Sequence, residues 1–245
     1  MKLRRNIILI TTGLLLIGSF FLPDAVAGVT DSGRLNNITL IDSQSIIFEA
    51  LPKLSMPERL ELVANPNTEM VVWKSGNVMD AEAAEKRAIL ELTRFFSGSM
   101  YNFNFKDYSV EDNVTLFIID PQEPTVNLIV WELTLIDSNE NNANIIIDDE
   151  TGYIMKIVFR QGRASRNLPG VDETQPATAT DEDLYAKASN LTELMSAYYG
   201  LSISLADYHY SGSISYYKAE IHDHGRIIPM FGVVRASSFT LNERV

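Results

Sequence analysis

The stretch that most constrains the fold is residues 144–160, NIIIDDETGYIMKIVFR. Two short apolar runs, Ile145-Ile146-Ile147 and residues 153–159, flank the cluster Asp148-Asp149-Glu150-Thr151-Gly152. Apolar runs bounded by a polar, glycine-containing cluster read as two strands joined by a tight turn. Gly152 supplies the positive φ that a hairpin turn usually needs, at no steric cost. In the second strand Tyr153, Met155, Ile157 and Phe159 alternate with Ile154, Lys156, Val158 and Arg160. One face is therefore apolar and the other mixed, which suits a sheet with a helix on one side and water on part of the other.

The chain on either side supplies the helices. Residues 80–96 carry Ala84, Ala88, Leu92, Phe95 and Phe96 at helical spacing behind Asp80 as a cap, with Ser97-Gly98-Ser99 as the stop. Strand patterns follow at 114–119, 126–136, 144–147 and 153–159, and Ile129, Trp131, Leu133 and Leu135 offer an apolar face for the helix. Residues 161–179, with Gly162, Pro169, Gly170 and Pro176, read as a linker. The order then starts again. Thr180 and Asp183 form a capping pair, and Leu184, Ala188, Leu191, Met195 and Tyr198 make a helical stripe that Gly200 ends. Strands are expected at 201–210, 213–222 and 226–241, with Asp223-His224-Gly225 as a hairpin turn.

The expected fold class is α+β. An N-terminal signal or anchor helix (1–28) precedes two helix-plus-antiparallel-sheet units, 80–160 and 180–245, joined by the linker 161–179. Residues 29–79 form an N-terminal extension, with a short helix at 56–64 behind Ser55 and a strand at 69–74.

The hairpin resembles the end of a PepSY-type repeat. The residues that carry the likeness are Ile147-Asp148-Asp149-Glu150-Thr151-Gly152-Tyr153-Ile154, with Val130-Trp131-Glu132-Leu133 on the strand before them. The resemblance covers roughly residues 80–160. It implies a helix followed by antiparallel strands, and a protein that is exported or membrane-attached. It also implies a regulatory or binding role, with a peptidase or another envelope protein as partner.

The N-terminus points to the same compartment. Lys2, Arg4 and Arg5 precede an uncharged run through Ile7, Leu14, Leu15, Leu16, Phe20 and Phe21, followed by Pro23 and the small-x-small site Ala25-Val26-Ala27. This order describes a secretory signal cut after Ala27, or an uncut anchor whose basic end stays inside. Either outcome exports the rest: membrane-anchored and facing outside, or secreted. The net charge of −12 argues against nucleic acid and anionic lipid as partners. The chain has no cysteine, which excludes disulfides, thiol catalysis and thiolate metal sites.

Candidate chemistry is sparse. The histidines are His209, His222 and His224, all in the second unit. His209 and His222 share strand parity near Asp207 and Glu220, and Asp223 completes a candidate oxygen–nitrogen metal set. No HExxH-like spacing fixes them, so a solvated hairpin is the simpler reading. The acidic turns at 137–142 and 148–150 lack the register of a calcium loop. No nucleophile elbow, phosphate loop or dinucleotide fingerprint occurs. The tyrosines Tyr208, Tyr210, Tyr216 and Tyr217 form a candidate binding surface, with sheet packing as the alternative. The sequence reading is thus an exported, membrane-tethered binding or regulatory protein of the bacterial envelope, not an enzyme, with no cofactor. Its alternatives are a metal-dependent hydrolase centred on the histidines and a structural envelope component.

Overall fold

The computed structural model describes residues 53–97, 107–162 and 179–243. The signal or anchor segment with its cleavage site, the helix stop at Gly98-Ser99 and most of the linker lie outside these residues. Among the described residues no helix is long and apolar enough to cross a membrane.

The elements in chain order are α1 (Met56–Ala64), β1 (Glu69–Val72), α2 (Ala81–Phe96), β2 (Tyr108–Ile119), β3 (Asn127–Asp137), β4 (Asn142–Asp148), β5 (Ile154–Arg160), α3 (Asp181–Tyr199), β6 (Ser202–Ser211), β7 (Ile214–Asp223), β8 (Arg226–Arg235) and β9 (Ser238–Leu241). The strands form one antiparallel sheet of nine, in the order β1-β2-β3-β4-β5-β9-β8-β7-β6.

That single sheet corrects the expectation of two separate helix-plus-sheet units. Each half does run helix, then meander. But the last strands of the two halves pair with each other, Phe159 opposite Phe239 and Ile157 opposite Leu241. An edge strand left at that point would expose unpaired N–H and C=O groups, and the pairing removes both edges. The core continues across the join: Phe96 of α2 packs on Phe159 and on Phe239, with ring centroids 5.2 and 6.1 Å apart. Residues 226–241, expected as one strand, fold back at Ala236-Ser237 into β8 and β9, and β9 is the strand that makes the join.

Helices α2 and α3 cover the same face of this sheet. Tyr198 of α3 meets Phe95 of α2 edge-on at 5.4 Å, and its hydroxyl donates to the buried Glu91 of α2 at 2.7 Å. The same hydroxyl accepts from the Ile154 amide at 3.0 Å, so one phenol ties both helices to β5. Burial pushes its ionisation well above the ordinary phenol range. A register shift in the β4–β5 pairing buries both Ile154 and Met155, although simple alternation would turn Ile154 away from the core.

The turn 148–152 reaches well beyond its own hairpin. The Gly152 amide closes on the Asp148 carbonyl at 2.8 Å, and Gly152 has φ +72°. A side chain at Gly152 would also collide with Arg87 of α2, since a Cβ there would lie 2.3 Å from Arg87 Nε. Asp148 is fully buried. It accepts from Arg59 of α1, whose Nη1 lies 3.0 and 2.9 Å from its two oxygens, and from the Thr151 amide at 2.9 Å. Arg59 also bonds to Glu150 and, through Nε, to the Leu54 carbonyl at 2.9 Å. Asp149 points elsewhere and accepts from three consecutive amides, Asn77, Val78 and Met79, at 2.7, 2.8 and 3.1 Å. Its fourth donor is the Trp131 indole at 2.8 Å. The stretch before α2 is therefore fastened to the hairpin. Helix α1 packs against β5 and β8 on either side of the join, and Asn242 holds it there by donating to the Leu60 and Met155 carbonyls at 3.0 and 2.9 Å.

Two expected outcomes follow from these bonds. Arg59→Ala leaves the Asp148 carboxylate buried and short of its cation, and should lower stability by about 3–5 kcal/mol in urea unfolding. A loss under about 1 kcal/mol would mean that water reaches Asp148 without cost. The second concerns acid. Hydrogen bonds from Ser55 hold Glu58 below its ordinary carboxylate range, and bonds from Thr180 do the same for Asp183. Their stabilisation is complete above the unfolded carboxylate pKa and is lost as pH falls through the lowered folded values. Glu58→Gln with Asp183→Asn should flatten the acid limb of a stability–pH curve. An unchanged limb would assign that limb to other carboxylates.

Candidate functional site

The face opposite α2 and α3 differs between the two halves. In the first half α1 lies over part of it. In the second half no described helix covers it; the outward residues of β6 and several of β7 and β8 stand exposed there, whereas Val233 and Thr240 are buried. At its centre, where β5, β9, β8 and β7 run side by side, is an open cleft of about 690 Å³.

The register builds this cleft in rows. Arg160 of β5 faces Ser238 of β9, which faces Arg235 of β8. One row further, Val158, Thr240, Val233 and Tyr216 lie across the same strands. Strands sit about 4.8 Å apart, so the two arginines start about 10 Å from each other with only a serine between them. Both are exposed, and among the described residues neither guanidinium forms an ion pair with a carboxylate. Phe231 and Glu243 lie at the other end, where the Glu243 amide donates to the Phe231 carbonyl at 2.9 Å. The Thr240 hydroxyl is already used: it accepts from the Val233 amide at 3.0 Å and donates to Glu243 at 2.8 Å.

The floor depends on the buried side of the sheet. Tyr217 lies across Gly232, where a Cβ would come within 2.3 Å of its ring, and donates to the Thr240 carbonyl at 3.1 Å. Lys187 of α3 reaches the β8–β9 turn and donates to the Ala236 carbonyl at 2.6 Å. Burial lowers the pKa of that ammonium. The turn that carries Arg235 and Ser238 is thus pinned from the core side.

The tyrosines expected to form one surface divide between the two faces. Tyr216 is half exposed, at 51%, and lines the cleft, whereas Tyr217 is 3% exposed and belongs to the core. Adjacent residues of a strand point to opposite faces, so these two cannot share a surface. Tyr208 lies on the helix side, with its hydroxyl on the Asp181 carboxylate at 3.0 Å and on Ser215 at 2.8 Å, and its ring against Tyr185 at 5.2 Å. Tyr210, 38% exposed, shares its parity.

The histidines are all exposed but not convergent. His209 is opposite Tyr216, whereas His222 is opposite Ser202, six residues further along β7 and about 20 Å away. His222 Nε2 is 3.0 Å from the Ser204 hydroxyl. His224 sits in the β7–β8 turn with φ 46°, almost fully exposed beside Asp223. Among the described residues no group of three or more His, Asp or Glu side chains is placed to hold a metal ion.

Sequence reasoning missed Arg160, Ser238 and Arg235. Alternation puts Arg160 on the mixed face of its strand, but its partners become visible only once β9 is known to pair with β5. The packing of Tyr217 on Gly232 gives a test of the floor. Gly232→Ala should cost about 1–3 kcal/mol, because the ring must move and release the Thr240 carbonyl. An unchanged thermal midpoint would show that the ring shifts without losing that bond.

The chain matches no family model, and no curated protein or solved structure is significantly similar to it.

Proposed function

We propose that this protein is an exported, membrane-tethered binding or regulatory module of the bacterial cell envelope, and that it engages its partner through the open face of β5, β9, β8 and β7. The observation that carries the reading is the cleft: about 690 Å³ on a sheet face that no described helix covers, with a half-exposed tyrosine beside two arginines that form no ion pair among the described residues. Tyrosine and arginine are the residues most often found at the energetic centre of protein interfaces. The basic, apolar, small-x-small order of residues 1–28 supplies the tether or export signal. The resemblance of residues 80–160 to PepSY-type repeats makes a peptidase or another envelope protein the partner. The rival reading, a metal-dependent hydrolase, needs His209 and His222 at one centre, and the β6–β7 register holds them about 20 Å apart.

The test uses the full-length chain, purified in mild detergent and tagged at its C-terminus, to capture partners from an envelope extract with and without chelator. Tyr216→Glu serves as the comparator, since Tyr216 is exposed and its replacement leaves the core intact. The expected result is one protein retained in chelator and lost with Tyr216→Glu. Retention that ignores Tyr216→Glu, or that chelator abolishes, would overturn the reading. So would failure to retain any protein.

A further inference from the structure

We infer that the cleft between β5 and β7 recognises an acidic peptide segment, with a carboxylate side chain of that segment seated between Arg160 and Arg235. The inference rests on the binding-module reading above and adds the chemistry of the ligand.

The argument begins with charge. The chain carries 32 acidic and 20 basic side chains, so a surface arginine usually has an acid close by. Other described arginines illustrate this: Arg59 meets Asp148 and Glu150, Arg87 and Arg94 meet Glu91, and Arg226 meets Glu58 and Glu61. Arg160 and Arg235 have no such partner among the described residues, yet the register sets them on one row with only Ser238 between. Two guanidiniums with no acid between them repel each other, and a carboxylate placed over the serine relieves both. Guanidinium geometry favours such a bond, because its N–H groups match the two oxygens of a carboxylate.

The remainder of the cleft selects a peptide over a small inorganic anion. Next to the arginines are Val158 and Val233, with Thr240 between them and Tyr216 at the edge, and Phe231 follows about 13 Å from Arg235. A compact oxyanion leaves that apolar length unused. It also wants converging amides or hydroxyls, and the Val233 amide and Thr240 hydroxyl are already consumed. The Glu243 carboxylate, held on the Thr240 hydroxyl, sets a polarity: the ligand's carboxylate belongs away from it, over Ser238 between the arginines, and apolar side chains lie against Val158, Val233 and Phe231. Nucleic acid draws its affinity from many phosphate contacts, and the described cleft offers two cations.

The experiment is a fluorescence-anisotropy titration of the full-length chain in mild detergent. Three fluorescein-labelled peptides are compared, each flanked by Gly-Ser and blocked at the C-terminus: a Glu-Leu-Glu core, a Gln-Leu-Gln core and a Lys-Leu-Lys core. The Glu probe should bind at least tenfold more tightly than the Gln probe, and the Lys probe more weakly still. Arg160→Gln and Arg235→Gln should each weaken the Glu probe about tenfold, as expected for loss of one charge-assisted bond. Both arginines are exposed, so these variants should keep the parent's thermal midpoint. Equal binding of Glu and Gln probes, absence of binding, or indifference to both substitutions would overturn the inference. Displacement of the probe by phosphate at an equal concentration would also overturn it and leave a general anion site. The two readings can fail separately. Capture of an envelope protein that survives Arg160→Gln/Arg235→Gln keeps the binding module and removes this ligand. Tight binding of the Glu probe with no protein captured keeps the cleft's chemistry and removes the proposed partner class.

Discussion

Asp148 and Asp149 leave the end of β4 in different directions, and much of the surrounding architecture is fastened to them. Burying an ionised carboxylate costs several kcal/mol unless its lone pairs are filled. Here they are. A carboxylate offers about four acceptor sites. Arg59 reaches both oxygens of Asp148, and the Thr151 amide and hydroxyl complete its shell. Asp149 takes three successive amides and the Trp131 indole. The first set holds α1 to the sheet and the second holds the entry to α2. A hairpin that is five residues long at its turn thereby positions two segments about 70 and 90 residues earlier in the chain.

With α1 held there, the layout of the sheet follows. The two meanders meet through only four paired residues, Ile157–Arg160 against Ser238–Leu241. Past that point no described strand lies between β5 and β8, and α1 packs against both. Asn242 turns with φ 56° and bonds to α1 and β5 at once, and Arg226 of β8 reaches Glu61 of α1 at 3.0 Å. The short join also leaves part of the sheet uncovered. Both long helices are needed on the face that carries Phe159 and Phe239. Among the described residues the opposite face has only the short α1, which is drawn toward Asp148. The second half of that face carries no described helix, because α3 lies on the other side.

Local features were legible in the sequence because their causes are local. The Asp80 cap, the Thr180–Asp183 capping box, Gly200 in the left-handed region and the turn at Gly152 depend on residues a few positions apart, and each formed where the pattern placed it. The hairpin at His224-Gly225 belongs to the same class. Pairings between distant segments were not legible. Nothing in residues 233–241 marks Ala236-Ser237 as a turn, because neither glycine nor proline occurs among them. The strand therefore read as continuous, and the join of β9 to β5 was lost with it. That one omission produced two units where there is one sheet, and it hid the Arg160–Ser238–Arg235 row. Arg59 was equally silent: an arginine on a short amphipathic helix reads as surface, and its acid lies 89 residues away.

The tyrosines carry the same lesson into function. As a composition, Tyr208, Tyr210, Tyr216 and Tyr217 are a dense aromatic cluster. As strand positions, they split by parity. Tyr217 must lie on the core side, because Gly232 opposite it has no side chain and leaves room for the ring. Tyr216 must then face out, above Val233. The residue that supports the cleft and the residue that lines it are thus neighbours in sequence with opposite tasks. Changing Tyr217 would act on the floor through the Thr240 carbonyl and on stability together, whereas changing Tyr216 acts on the surface alone. This separation makes the open face open to experiment: its exposed row can be altered without touching the Asp148 and Asp149 bonds that hold the sheet together.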